Sequence, residues 1–360
     1  MLRQALVTPE ILGELSLAEW DQLLPQARAA GLLARLDILL RERRLSDKIP
    51  PQTIPHFIAA RRIAQNEHCA MRWEVNRIAR ALRGIDGTPI VLLKGAAYAI
   101  RGLPNARGRI SADVDILVAK EKLLIIEEAL LKHGWAHIKL EEYDQYFYRR
   151  WSHELPPLQH RDRGTVVDVH HTILPPTGRL HPHPKKLLTA AVPVEGAKFA
   201  VLAPADMVLH CAAHAFQDGE LQRGLRDLVD IDDLLRYFAE PNFWNELVSR
   251  AEELDLSRPL FYALRYSQKI LATPVPEAVL VANKKWQPLW PAISIMDSLV
   301  ENVIEASGSL SCASKARIAR KALYIRSHWL RMPPHLLIPH LARKSLRSWK
   351  KTTTLPEAAK

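Results

Sequence analysis

VLLKGAAYAIRGLPNARGRISADVDILV, residues 91–118, decides how the whole chain is read. Val91-Leu92-Leu93 is a short apolar run behind Pro89, as expected of a buried strand. Lys94-Gly95-Ala96 follows, where a strand can turn into a helix. Eighteen residues after Gly95, Asp113 and Asp115 stand one residue apart, followed by Ile116-Leu117-Val118. Side chains alternate along a strand, so Asp113 and Asp115 share one face while Val114 and Ile116 take the other. Two carboxylates this close repel unless a proton or a cation comes between them. Magnesium suits such a pair, because it takes oxygen ligands and shares its shell with substrate phosphates.

A third carboxylate lies downstream. Thr165-Val166-Val167-Asp168-Val169-His170-His171 is a β-branched run that reads as a strand, and Asp168 interrupts its apolar pattern. Two aspartates on one strand and a third on its neighbour could hold two magnesium ions. Such a pair activates an attacking oxygen and steadies the leaving oxygen of a phosphoryl or nucleotidyl transfer.

The glycine turn, Asp113-x-Asp115 after a helix, and an aspartate on a later strand resemble the DNA polymerase beta-type nucleotidyltransferase superfamily. More narrowly, LKGAAYAIRGLPNARGRISADVDILV with VDVHHTIL is similar to an uncharacterised bacterial nucleotidyltransferase family. Its members carry an LKG turn, an arginine shortly before D-x-D and an aspartate before a histidine. The match covers about residues 88–175. Ala96 departs from the wider superfamily, which has Gly or Ser there to contact the nucleotide phosphates. The resemblance implies an α+β fold, with a polymerase beta-like mixed-sheet core flanked by N- and C-terminal helical regions. It also implies a magnesium-dependent enzyme that moves a nucleoside monophosphate from a triphosphate, ATP among the candidates, to an acceptor hydroxyl. Superfamily relatives modify proteins, antibiotics, sugars and RNA, so the acceptor is expected to be a protein, small molecule, saccharide or nucleic acid.

Composition sets the outer limits. The 360 residues suffice for more than one domain, and a 48% hydrophobic content supports a sizeable core. No run of 18 apolar residues occurs, and MLRQALVTPEILGEL lacks the apolar region of a secretory signal. Cys69, Cys211 and Cys312 are sparse and form no CxxC, which argues for a reducing cytoplasm and against a zinc knuckle. The net charge of +11 is concentrated at one end. Residues 313–360 hold twelve Lys/Arg and one acidic residue, Glu357, while the rest is balanced. A basic segment attracts phosphate polymers or anionic lipid. The competing reading is therefore a catalytically silent protein of this fold, docked on RNA or an anionic membrane through that segment.

Four regions are expected: a helical one at 1–86, the catalytic core at 87–203, a helical domain at 204–332 and a basic tail at 333–360. Within 1–86, Ser16 and Glu19 form a capping-box pattern, and a long helix should run over 54–83. In the core, strands are expected at 90–94, 112–118 and 165–173, helices at 95–103 and 121–133, and a hairpin from 135–141 and 145–151.

The catalytic candidates are Asp113, Asp115 and Asp168, which are also the metal ligands, with Asp168 doubling as general base. Lys94 and Gly95 are expected at the nucleotide, since a helix N-terminus opening at the turn can face a phosphate. Arg109 and Ser111 would share the strand face of the aspartates and meet the triphosphate. His170 lies on the Asp168 face, to orient that carboxylate or meet the acceptor. His210 and His214 are one helical turn apart, as zinc ligands can be, but no third ligand follows at a recognised spacing. Asp227, Asp230 and Asp233 recur at three-residue steps and are expected to line a cleft or bridge helices.

Overall fold

Val114, Ile116, Val167 and Val169 are all but excluded from solvent, and they set the orientation of the two central strands. Their alternation leaves Asp113, Asp115, Asp168 and His170 on the opposite face. In the computed structural model, which describes residues 1–111, 113–139, 141–218, 221, 224–305 and 313–341, these strands lie side by side.

Among the described residues the sheet has seven strands: β1 (Ile90–Leu92), β2 (Asp113–Leu117), β3 (Trp135–His137), β4 (Leu158–His160), β5 (Val166–His170), β6 (Val192–Pro193) and β7 (Phe199–Val201). Their order is β3-β4-β5-β2-β1-β7-β6. β2 runs parallel to β5 and β1 parallel to β7, while the other neighbours are antiparallel. Four helices precede the sheet: α1 (Leu2–Val7), α2 (Leu17–Ala29), α3 (Leu33–Glu42) and α4 (Ile54–Ala81). Four lie between its strands: α5 (Lys94–Arg101), α6 (Leu123–Lys132), α7 (Glu142–Trp151) and α8 (Pro184–Thr189). The helices after it are α9 (Pro204–Ala213), α10 (Gly224–Tyr237), α11 (Pro241–Glu253), α12 (Ser257–Leu271), α13 (Glu277–Asn283), α14 (Trp290–Glu305) and α15 (Ala313–Arg331). The protein is thus α+β, a mixed sheet with helices before and after it, as expected.

Local chemistry sets several ends. The Ser16–Glu19 capping box forms, with Ser16 N–H donating to Glu19 Oε2 at 2.8 Å. Gly102 closes α5 in the left-handed conformation at φ 63°, which a residue without Cβ takes at little cost.

Three expectations are corrected. Residues 142–151 form α7 rather than the second strand of a hairpin, and β3 pairs with β4 instead. The cause lies in YDQYFYRRW: Tyr143, Phe147 and Trp151 recur every four residues, the helical period. Acidic Glu142 and Asp144 in its first turn and Arg149 and Arg150 in its last also favour a helix. The D-x-D strand begins at Asp113, so Arg109 and Ser111 do not continue it, and Ala112 lies outside the described residues. Strands β6 and β7 were not anticipated; Phe199-Ala200-Val201 is too short to stand out by period. Of the basic C-terminal segment, α15 carries six Lys/Arg and no acidic residue, while 342–360 and Cys312 lie outside the described residues. Among the described residues, no helix is long and apolar enough to cross a membrane.

Candidate active site

The site begins with register. In the parallel β2–β5 pair Asp115 lies directly opposite Asp168, and Asp113 opposite Val166. Paired residues project to the same side of a sheet, so Asp113, Asp115 and Asp168 converge. Each can offer a carboxylate oxygen, and the three oxygens lie within 4.8 Å of one another. Asp115 is buried, Asp168 half-buried and Asp113 exposed, so the cluster grades from sheet to solvent.

Electrostatics separate the carboxylates. Burial alone would push Asp115 up, but the Lys94 ammonium and a hydrogen bond from His170 outweigh it and hold its carboxyl well below the usual range. Lys94 Nζ lies 3.9 Å and His170 Nε2 3.1 Å from Asp115 Oδ1. A carboxylate accepts, so His170 Nε2 is the donor. Asp168 has less support, because nearby His170 only partly offsets what raises it. Burial, with Glu154 and Asp115 nearby, pushes its carboxyl up to about 7. Its Oδ1 is buried and accepts no hydrogen bond among the described residues. A buried carboxylate oxygen without a donor is costly, and a cation relieves that cost. Three hard oxygen donors, one orphaned, fit a magnesium-type ion, and all three side chains could ligate it.

Lys94 and Gly95 hold the first turn of α5 against this face. Leu93 donates its N–H to the carbonyl of Asp115 at 3.0 Å, which ties the turn to β2. Lys94 then takes φ 42°, a left-handed conformation that costs a side-chain-bearing residue about 1–3 kcal/mol. Gly95 proves to need its missing Cβ for another reason than the turn. A Cβ there would lie 2.8 Å from Ser111 Cβ and would also strike the Arg109 guanidinium.

Arg109 and Ser111 are therefore placed behind α5, where they touch each other through Nη1 and Oγ. Arg109 Nε also donates to Asp230 Oδ2 at 2.9 Å, and its guanidinium lies 5.4 Å from the Tyr98 ring centroid. Tyr98 and Cys211 complete the layer at 2.7 Å. Asp230 of α10 thus serves Arg109 in the loop before β2, and Asp233 serves Arg35 of α3 at 2.5 Å, so of the three spaced aspartates Asp233 bridges two helices and Asp230 ties a helix to a loop. His210 of α9 is buried, and burial with Lys94 and His214 nearby pushes its imidazole well below the usual value. The described residues that could group around a metal do not include His210 or His214.

The carboxylates open into a cavity of about 520 Å³. Its wall comprises Phe147, Tyr148 and Trp151 of α7, with His328 and Arg331 of α15 and His340 beyond it. None of these was singled out from sequence, because α7 was misread and the C-terminal residues lie far along the chain. His153 and Glu154 were also missed. Glu154 bridges His170 across the sheet, and its Oε2 lies 3.4 Å from His170 Nε2.

A family described as an uncharacterised nucleotidyltransferase matches residues 16–272. No curated protein and no solved structure matches the chain.

Proposed function

The chain belongs to this uncharacterised nucleotidyltransferase family, and from that premise we propose a magnesium-dependent transfer of a nucleoside monophosphate to an acceptor hydroxyl. One observation carries the reading. The β2–β5 register sets Asp115 against Asp168, with Asp113 two residues away on the same face. Asp113 and Asp115 would hold two magnesium ions, and Asp168 the one on the acceptor side. Bound there, magnesium neutralises triphosphate charge and lowers the pKa of the acceptor hydroxyl.

The chain's own groups do the rest. Lys94 supplies a fixed positive charge beside Asp115 for the polyphosphate. The first turn of α5 is opened by extended Leu93 beside this lysine, and free N–H groups at a helix start suit a phosphate. Arg109 and Ser111 act one layer back by holding Gly95 and that turn, and Asp230 holds Arg109. The acceptor oxygen attacks the α-phosphorus, the bond to the pyrophosphate oxygen breaks, and the acceptor proton passes to Asp168. Phe147, Tyr148 and Trp151 offer apolar ring surface for a base or an acceptor.

Calorimetric titration of ATP, CTP, GTP and UTP, each with and without magnesium, tests this in wild type and the Asp113→Asn/Asp115→Asn double variant. Magnesium-dependent binding of at least one nucleotide, lost in the double variant, is expected. Folded wild type that binds none of the four, or a double variant that binds as well, overturns it.

A further inference from the structure

We propose that His153, Glu154 and His170 form a second cation site, distinct in chemistry from the aspartate cluster and suited to a zinc-like transition metal. Each of the three can offer a ligand atom, and the three atoms lie within 4.8 Å of one another. Glu154 Oε2 is 3.4 Å from His170 Nε2 and 4.0 Å from His153 Nε2. Ligands of a tetrahedral zinc ion with bonds of about 2.0–2.1 Å sit roughly 3.3 Å apart. One separation already matches, and small side-chain shifts would close the others.

Backbone geometry aims the set. Adjacent residues of a regular strand point to opposite faces, yet His153 and Glu154 both reach His170. A bend at His153 makes this possible. The bend is pinned on both sides: His171 N–H donates to the carbonyl of His153, and Leu155 N–H to that of Val169, each at 2.9 Å. The His153 and His170 rings stand 5.2 Å apart between centroids, inclined by 34°. All three residues line the same cavity as the aspartates.

The donor set decides the metal. Two imidazoles and a carboxylate favour zinc, cobalt or nickel over magnesium, which prefers oxygen alone. His170 Nε2 carries a proton that faces both Asp115 Oδ1, at 3.1 Å, and Glu154 Oε2. The ion takes that proton's place, since a ligating histidine must present a lone pair. Asp115 Oδ1 then completes the set as a carboxylate shared by the two cation sites.

The proposal does not depend on nucleotidyl transfer, and its test reads no turnover. Cobalt is titrated into the full, EDTA-treated chain, and the ligand-field absorption of tetrahedral cobalt is followed. Wild type should bind one equivalent with that spectrum, displaced by zinc and retained in excess magnesium. His153→Ala and Glu154→Gln should lose the band, while Asp113→Asn, outside the set, should keep it. Circular dichroism and magnesium–nucleotide titration of the same variants report folding and the aspartate site separately. Absence of the band in wild type overturns the proposal, as does its survival in both His153→Ala and Glu154→Gln. Loss in Asp113→Asn alone would also overturn it, by placing cobalt among the aspartates.

Discussion

At Gly95 a missing methyl group decides whether the first turn of α5 reaches β2. Ser111 and Arg109 occupy the space a Cβ would take. Gly95→Ala therefore overpacks a site whose neighbours are themselves held, Arg109 by Asp230. The expected cost is about 1–3 kcal/mol, read as a lower urea midpoint with an unchanged slope. Adding Ser111→Gly should return part of it. If Gly95→Ala melts like wild type, Ser111 and Arg109 do not crowd that position. The same residue shows how far single letters can be read. The need for glycine was legible, and so was the turn. Its cause was not, because the contact joins residues 95, 109 and 111 through a loop that no periodicity describes. The three aspartates were legible because each interrupts an apolar strand. His153 and Glu154 interrupt nothing, and they gain meaning only when the bend brings them to His170.

Elements were read well where their period was unambiguous and badly where it was not. The 28-residue α4 follows helical spacing over several turns. By contrast α7 has ten residues, five of them aromatic and none fully buried, so a two-residue alternation could be imposed on it. Between α12 and α14, side chains add a pairing that the helical period does not encode. Asp297 of α14 accepts from both Arg265 Nε, at 3.0 Å, and Nη2, at 2.6 Å, and from Tyr266 Oη at 3.0 Å, all on α12. The Arg265 hydrogen bonds, outweighing burial, hold the Asp297 carboxyl below its usual value. A carboxyl lowered in the folded state binds fewer protons there than in the unfolded chain. Its stabilisation is thus present above the unfolded pKa of about 3.9 and is lost as pH falls through the folded value. Wild type should lose stability over that acid range faster than Asp297→Asn, and the two should converge at the lowest pH. Urea melts at a series of pH values measure this, and parallel curves for the two proteins would contradict it.

Across the whole molecule, the helices before the sheet are not an appendage. One apolar cluster runs from Leu2, Trp20, Leu36 and Ile78 through Val91 and Val169 to Leu209, Leu264 and Leu323. Buried charges cross the same boundary. Glu74 of α4, almost wholly buried, takes two hydrogen bonds from Arg163 beside the sheet, at 2.8 and 2.9 Å. Arg35 of α3 holds Asp233 of α10, and Arg3 donates to the carbonyls of Lys269 and Ile270. The family match itself begins at residue 16, inside this region. Removing residues 1–86 would strand Arg163 and Asp233 without these partners and uncover the apolar faces packed beneath. Unpaired buried charge and exposed core together exceed the margin of a typical domain, about 5–15 kcal/mol. We therefore expect the full chain to melt in a single transition, and the 87–360 fragment to lack fixed tertiary structure. Arg35→Ala alone should cost about 2–4 kcal/mol, since it leaves Asp233 buried without its guanidinium. Arg35→Ala/Asp233→Ala should recover part of that loss, because no buried charge remains at the position. Calorimetric and urea melts separate the outcomes. A fragment that unfolds cooperatively and still binds magnesium–nucleotide would make the preceding helices a separate domain; a fragment that does neither makes them part of the scaffold that sets Asp115 against Asp168.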